Sequence, residues 1–223
     1  MNNVILIFSG GVVDDGLAAA TVKKYPDAVI IAADRGIEAV ERLSVRPDFI
    51  IGDFDSADET AIKAAYAAAE KYGIEIERLN PMKNDTDTEA AVKAAIERYP
   101  GEGTILILGG TGTRLDHVLG NLSILGMGHP AGKDILLIDT NNRARMLFPG
   151  THTFRKEDFF GTYVSFFPIG EPVTGLILSG FKYGLNGATL TGLSTRAVSN
   201  EAKEETESVT FETGRLLMIE AED

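Results

Sequence analysis

Thr104-Ile105-Leu106-Ile107-Leu108-Gly109-Gly110-Thr111-Gly112-Thr113-Arg114-Leu115-Asp116-His117 decides the fold. From Thr104 to Leu108 the run is strongly apolar with no polar alternation, as a strand covered on both faces requires. The glycines end that strand, and helical periodicity follows over Asp116–Leu125. Strand, Gly-rich turn and helix together form the repeating unit of a parallel α/β sheet.

The same unit recurs on both sides of this stretch. Val4–Phe8, Ala28–Ala33, Phe49–Ile51, Ile74–Arg78 and Asp134–Ile138 read as further strands, several of them apolar on both faces. Between them Asp15–Lys24, Ile37–Leu43, Asp58–Tyr72 and Thr88–Tyr99 read as helices. The result is a doubly wound, mostly parallel α/β domain over residues 1–142. From Arg143 helical periodicity fades. Short strands (Thr162–Phe167, Leu176–Leu178, Ala188–Leu190, Ser208–Glu212, Arg215–Glu220) alternate with Gly, Pro, Asn and Ser turns, which predicts an antiparallel β domain over residues 143–223.

Composition narrows the function. The 223 residues carry 21 Lys+Arg and 33 Asp+Glu, a formal charge of −12, and the 44% hydrophobic content suits a globular chain with a sizeable core. Strong acidity argues against a non-specific grip on nucleic acid or an anionic membrane. With no Cys there is no disulfide framework, thiolate nucleophile or thiolate metal site, and a reducing cytoplasm fits. His117, His129 and His152 lie far apart, so oxygen ligands suit any metal better. The N-terminus lacks the cationic start of a signal peptide, and no apolar run is long enough to span a bilayer. A small-molecule ligand is the default.

In an open α/β sheet, ligands bind beyond the carboxyl ends of the strands. Those ends hold Ser9-Gly10-Gly11, Asp34-Arg35-Gly36, Gly52-Asp53-Phe54-Asp55-Ser56, Asn80 to Asp87 and Gly109 to His117, with acidic residues at Asp34, Asp53, Asp55, Asp87 and Asp116. If the chain is still extended, Asp53 and Asp55 point to one side, as two carboxylates sharing a divalent cation should. A plain strand-to-helix turn is the competing reading, with Ser56 and Glu59 as a capping box. Thr86 and Glu89 make a second box around Asp87, and Lys83 beside that helix start could hold a phosphate or be merely solvated. Gly109–Gly112 is neither a P-loop nor a Rossmann fingerprint, yet its N–H groups at a helix start suit an anion, with Arg114 and His117 beside them. Carboxylates repel a polyphosphate unless a cation lies between, so the set points to a Mg²⁺-nucleotide site built without a P-loop.

These motifs resemble the thiamine pyrophosphokinase family. The resemblance rests on Asp34-Arg35-Gly36, Arg46-Pro47-Asp48, Gly52-Asp53-Phe54-Asp55-Ser56, Lys83-Asn84-Asp85-Thr86-Asp87-Thr88-Glu89, Gly109–Gly112, Arg114-Leu115-Asp116-His117 and Asn121. Gly180-Phe181-Lys182-Tyr183, Leu185, Gly192-Leu193-Ser194 and Ser199-Asn200-Glu201 extend it through the second half. It implies pyrophosphoryl transfer from ATP to the hydroxyl of thiamine with Mg²⁺, and a C-terminal β-sandwich. It also implies a homodimer whose active-site cleft includes the partner's β domain.

By the same match, Asp53, Asp55 and Asp87 hold Mg²⁺ and the polyphosphate, with Asp34 and Asp116 completing the acidic cluster. Arg35, Lys83, Thr86, Gly110, Thr111, Arg114 and His117 serve the nucleotide, and Ser199 and Asn200 contact thiamine. Three positions depart from the family pattern. Asn84 replaces a usual Asp, for which the adjacent Asp85 is a candidate substitute; Thr113 replaces a usual Gly, suggesting a Thr113–Asp116 cap; Arg35 stands where many members have Gly. Without Trp, stacking on thiamine falls to Phe181 or Tyr183, unless both belong to the β-domain core. Two rivals remain at this level: a pyrophosphokinase acting on another alcohol, such as a hydroxymethyl pterin, and a non-catalytic thiamine or nucleotide sensor.

Overall fold

The computed structural model describes residues 3–54, 57–80, 85–112, 114–192 and 194–223, which form two compact units, Met1–Thr140 and Asn141–Asp223. No helix among the described residues is long and apolar enough to cross a membrane.

In the first unit, β1 (Asn3–Phe8), β2 (Val29–Ala33), β3 (Phe49–Gly52), β4 (Glu75–Arg78), β5 (Gly103–Leu108) and β6 (Lys133–Ile138) alternate with five helices. The helices are α1 (Asp15–Lys24), α2 (Gly36–Arg42), α3 (Glu59–Tyr72), α4 (Asp87–Arg98) and α5 (Leu115–Ser123). The strands are parallel in the order β6-β5-β1-β2-β3-β4. Chain order reverses direction between β1 and β5, so a crevice opens there at the carboxyl ends of the strands. Ile5, Leu6, Ile7 and Phe8 are all buried, and so are Ile105 to Leu108, which is why neither strand alternates in sequence.

Local chemistry sets the helix ends. Asp14 caps α1 by accepting from the Leu17 N–H (2.8 Å), and Thr86 caps α4 by accepting from the Glu89 N–H (3.2 Å). The cap of α3 is a correction to the expected box: the capping position is Asp58, whose carboxylate accepts from the Thr60 and Ala61 N–H groups. Asp58 directly precedes the helix, so its carboxylate reaches the first-turn N–H groups. Ser56 lies outside the described residues. Gly36 is required by packing, because a Cβ there would sit 1.9 Å from the Phe8 carbonyl oxygen.

The second unit has two antiparallel four-stranded sheets. One has the order β12-β9-β14-β7, formed by β12 (Asn200–Glu201), β9 (Tyr163–Pro168), β14 (Leu216–Ala221) and β7 (Asn142–Leu147). The other has the order β11-β10-β13-β8, formed by β11 (Leu185–Leu190), β10 (Val173–Ser179), β13 (Thr206–Phe211) and β8 (Gly150–Arg155). Val164, Phe166, Leu176, Leu178, Val209, Phe211, Leu216 and Met218 fill one core between them, the arrangement of a β-sandwich. The fold class is the expected one.

Sequence periodicity misses β7, β8 and β12. Arg143 and Arg145 disguise β7; Arg143 faces Glu220 of β14 in register and forms an ion pair with it, so a charged residue is tolerated inside the sheet. The polar run Gly150–Arg155 disguises β8, which has no fully buried residue.

Candidate active site

A cavity of about 390 Å³ opens at the carboxyl ends of the parallel strands. Its floor is made by the turns after β1 (Ser9–Gly11) and β5 (Gly109–Gly112). Asp34 and Arg35 form one wall, the head of α4 from Asp85 to Thr88 another, and Arg114, His117, Val118 and Asn121 a third.

The two floor turns are fused. The Ser9 N–H donates to the Leu108 carbonyl (2.8 Å), the Gly11 N–H to Gly109 (2.9 Å) and the Val12 N–H to Thr111 (3.1 Å). A Cβ on Gly11 would lie 2.3 Å from the Thr111 oxygen, so the approach demands glycine. From α5 the buried Asn121 carboxamide donates to the Gly110 carbonyl (2.7 Å) and fixes the peptide orientation of the Gly-rich turn. Arg114, at the capping position of α5, makes no side-chain cap bond, and although the Asp116 carboxylate takes the His117 N–H, the N–H groups ahead of it face an anion. Thr113, the expected cap, lies outside the described residues.

The acidic residues separate into different situations. Asp34 is buried at the end of β2 with φ +47°, its N–H donating to the Ile51 carbonyl (2.9 Å), and it lines the cavity. Asp87 opens α4 and also lines it. Asp53 is buried at the end of β3, away from the cavity lining. Phe54 takes φ +58°, so the extended backbone that would put Asp53 and Asp55 on one side is interrupted between them. Asp55 lies outside the described residues, as do Lys83 and Asn84.

Asp116 is not on the cavity lining. Its carboxylate takes the Arg114 guanidinium (2.5 and 3.1 Å) and the His117 N–H (3.0 Å), and the Arg114 contact, opposed by some burial, pushes its pKa down to about 2. Asp85, a possible substitute for Asn84, reaches the cavity wall with its carboxylate on Lys93 (2.6 Å). Arg35 reaches the wall while paired with Glu38 (3.2 Å). Thr86, Gly110, Thr111 and His117 all lie on the cavity surface. Among the described residues, no three carboxylates or imidazoles converge closely enough to hold a metal.

Ser199 and Asn200 belong to the second unit. Ser199 is exposed with φ +55°, its N–H donating to Ser165 Oγ (3.0 Å). Asn200 is buried, and its carboxamide braces the neighbouring turn: Oδ1 accepts from the Tyr183 and Glu201 N–H groups (2.9 and 3.0 Å), while Nδ2 donates to the Tyr183 carbonyl (2.9 Å). The two aromatic candidates divide cleanly. Phe181 is core, edge-on to Phe166 at 5.6 Å, whereas Tyr183 is 57% exposed beside Lys182.

Ser9 and Thr88 are in hydroxyl contact on the cavity surface, and their sequence context alone points to no role for either. They are 79 residues apart, and no local pattern joins them.

Comparison with known proteins gives a consistent picture. The family model described as "Thiamin pyrophosphokinase, catalytic domain" matches residues 24–136, and "Thiamin pyrophosphokinase, vitamin B1 binding domain" matches residues 151–218. The thiamine pyrophosphokinase of Bacillus subtilis is 35% identical over 196 residues, 86% of this chain and 87% of that one. A crystal structure of the Bacillus subtilis enzyme superposes with a TM-score of 0.86 at 32% identity, covering 99% of this chain and 100% of the other. The corresponding structure from Geobacillus thermodenitrificans gives 0.82 at 29% identity, covering 99% and 98%.

Proposed function

The chain belongs to the thiamin pyrophosphokinase family, and on that premise we propose how its residues divide the work of pyrophosphoryl transfer. The reaction takes the pyrophosphoryl group of ATP to the hydroxyl of thiamine, giving thiamine diphosphate and AMP. The hydroxyl oxygen forms a bond to the β-phosphorus, the bond from that phosphorus to the oxygen shared with the α-phosphate breaks, and AMP leaves. Little covalent work falls to the protein, so positioning and charge neutralisation carry the catalysis.

The polyphosphate is assigned to the cavity floor, where Gly110, Thr111 and the N–H groups that open α5 ahead of His117 face it and Arg114 and Arg35 supply positive charge. Lys83, Thr86 and His117 serve the same nucleotide. Asp53, Asp55 and Asp87 are assigned to Mg²⁺. Their all-oxygen donor set suits a hard cation that shares its shell with substrate phosphates. When bound, the ion offsets negative charge on the transferred group. Asp34 on the wall and Asp116, through its hold on Arg114, complete the acidic group. The proton of the thiamine hydroxyl passes to a carboxylate of this set.

Thiamine contact is assigned to Ser199, with Asn200 orienting the turn that carries the exposed Tyr183. A homodimer that completes the site is supported by one feature of the first unit: Val12, Leu115 and Leu119 are at least 65% exposed, the two leucines one turn apart on α5, whose His117, Val118 and Asn121 line the cavity. A pterin acceptor is disfavoured by the vitamin B1 binding match.

The observation that carries the reading is the convergence of four separate strand-end motifs on one cavity. Its test is AMP formation from ATP by the purified chain with thiamine, with no acceptor, and with a hydroxymethyl pterin, each with Mg²⁺ and with EDTA. Thiamine- and Mg²⁺-dependent AMP matched by thiamine diphosphate is the expected result. AMP formed with the pterin alone, or ATP bound without AMP release, overturns it.

A further inference from the structure

Two buried hydroxyls meet at the cavity wall. Ser9 Oγ and Thr88 Oγ1 are 2.5 Å apart, their residues are 4% and 6% exposed, and both contribute to the cavity surface. Each is attached to a different part of the site. Ser9 is tied through its N–H to the Leu108 carbonyl, hence to the end of β5 and the Gly-rich turn fused to it. Thr88 is the second residue of α4, next to Asp87 and two residues after the Thr86 cap. One hydroxyl bond thus joins the polyphosphate floor to the helix start that bears a proposed metal ligand.

We propose that Ser9 and Thr88 are positioning residues for pyrophosphoryl transfer, holding the head of α4 at a fixed distance from the Gly-rich turn. The proposal rests on the assignment of Asp87 and of the Gly109–Gly112 floor to the nucleotide. A hydroxyl pair suits the task. Both groups are shielded from water, so loss of one leaves the other without its partner in a place where an unsatisfied polar group is costly. The head of α4 then settles where remaining contacts allow. An error of about 1 Å in a reacting group is enough to cost up to about a hundredfold in rate.

The test compares Thr88→Val, which keeps shape and removes the hydroxyl, with Thr88→Ser, Ser9→Ala and the double variant Ser9→Ala/Thr88→Val. Asp87→Asn serves as a control. kcat and KM are measured for ATP and for thiamine, with thermal melts alongside. Thr88→Val is expected to lower kcat/KM for ATP about ten- to a hundredfold while the KM for thiamine changes less than about twofold. Thr88→Ser restores activity to within about twofold, and the double variant is no worse than the worse single one.

Wild-type kcat/KM in Thr88→Val, failure of Thr88→Ser to restore it, or additive losses in the double variant overturns the proposal. Equal losses for ATP and thiamine also overturn it, because they report a general structural effect. If Thr88→Val does not fold, the Ser9→Ala and Thr88→Ser pair decides by the same criteria. Full activity in Asp87→Asn removes the site assignment itself. An inactive Asp87→Asn beside an unaffected Thr88→Val removes only the positioning role.

Discussion

Glu207 is the most exposed weakness in the stability of the second unit, and replacing it with Gln should make the protein more stable. The residue lies in β13 opposite Phe154 of β8, is 0% exposed, and among the described residues neither carboxylate oxygen has a hydrogen-bond partner of good geometry. The Glu204 N–H close by is already given to the Gly180 carbonyl at 3.0 Å. Burial raises the Glu207 pKa; the attraction of Lys156 and the nearby backbone N–H groups of Glu204 and Glu207 oppose the shift without cancelling it, and the charge of Glu204 adds to it. An unsatisfied buried polar group costs about 1–3 kcal/mol, and more if charged. Glu207→Gln keeps the shape and removes the charge, so a gain of about 1–2 kcal/mol at neutral pH is expected. That corresponds to roughly 2–8 °C per kcal/mol in Tm, the larger value applying if the β unit melts by itself.

The pH dependence carries the stronger test. For a carboxyl whose folded pKa lies above its unfolded one, both states are protonated at low pH and the residue costs little. As pH rises, the unfolded chain releases its proton first, and stability falls until the folded pKa is passed. The Tm difference between Glu207→Gln and the parent should therefore be small below the ordinary Glu pKa of 4.5, grow with pH and then level off. Circular dichroism melts of both proteins from pH 4 to pH 8 measure it. A variant no more stable than the parent at pH 7, or a difference independent of pH, refutes the reasoning.

Other substitutions probe different links. Gly36→Ala would put a methyl group 1.9 Å from the Phe8 carbonyl oxygen, so it should cost at least the ~1–3 kcal/mol of ordinary overpacking and lower the melting temperature markedly, and a normal melt would show that α2 can slide. Phe181→Ala removes a core ring and should cost about 3–5 kcal/mol, while Tyr183→Ala should change stability by no more than about 0.5 kcal/mol and raise the KM for thiamine. Equal stability losses in urea titrations would contradict that division. Ser199→Ala should raise the KM for thiamine more than that for ATP; equal changes in steady-state kinetics would assign the residue to the turn alone.

The legible parts of this chain are those whose cause is local. Ile105–Leu108 and the glycines after them specify a buried strand and its turn within a dozen residues, and the doubly wound, mostly parallel sheet follows from repetition of that unit. The paired-carboxylate reading of Asp53 and Asp55 assumes that extended backbone continues past β3. The chain instead turns at Phe54, whose ring is buried in the core edge-on to Tyr66 at 6.3 Å. Burying a Phe side chain is worth about 1.5–3 kcal/mol, comparable with the cost of a left-handed non-Gly residue, so a contact distant in sequence decides the local conformation. The same holds for β7, whose Arg143 is explained by Glu220, and for Ser9, explained by Thr88. A single residue read in place contains neither partner.

Charge shows the same principle acting on function. Counting acidic residues at strand ends suggests a cleft hostile to any phosphate, but the fold engages some of them first. Asp116 is held by Arg114, and Asp85 by Lys93. Among the described residues the cavity lining holds the carboxylates of Asp34, Asp85 and Asp87 against the guanidinium groups of Arg35 and Arg114, with Lys93 on Asp85, Glu38 on Arg35 and Asp116 on Arg114 just behind them. Such a surface carries only a modest negative charge while empty. It becomes strongly negative only when a polyphosphate enters, and the carboxylates then favour a divalent cation that arrives with the nucleotide over one bound in advance. On this account nucleotide and Mg²⁺ bind with positive coupling. Mg²⁺ should bind weakly to the protein alone and tightly in the presence of a non-hydrolysable ATP analogue, a difference that calorimetry reads directly.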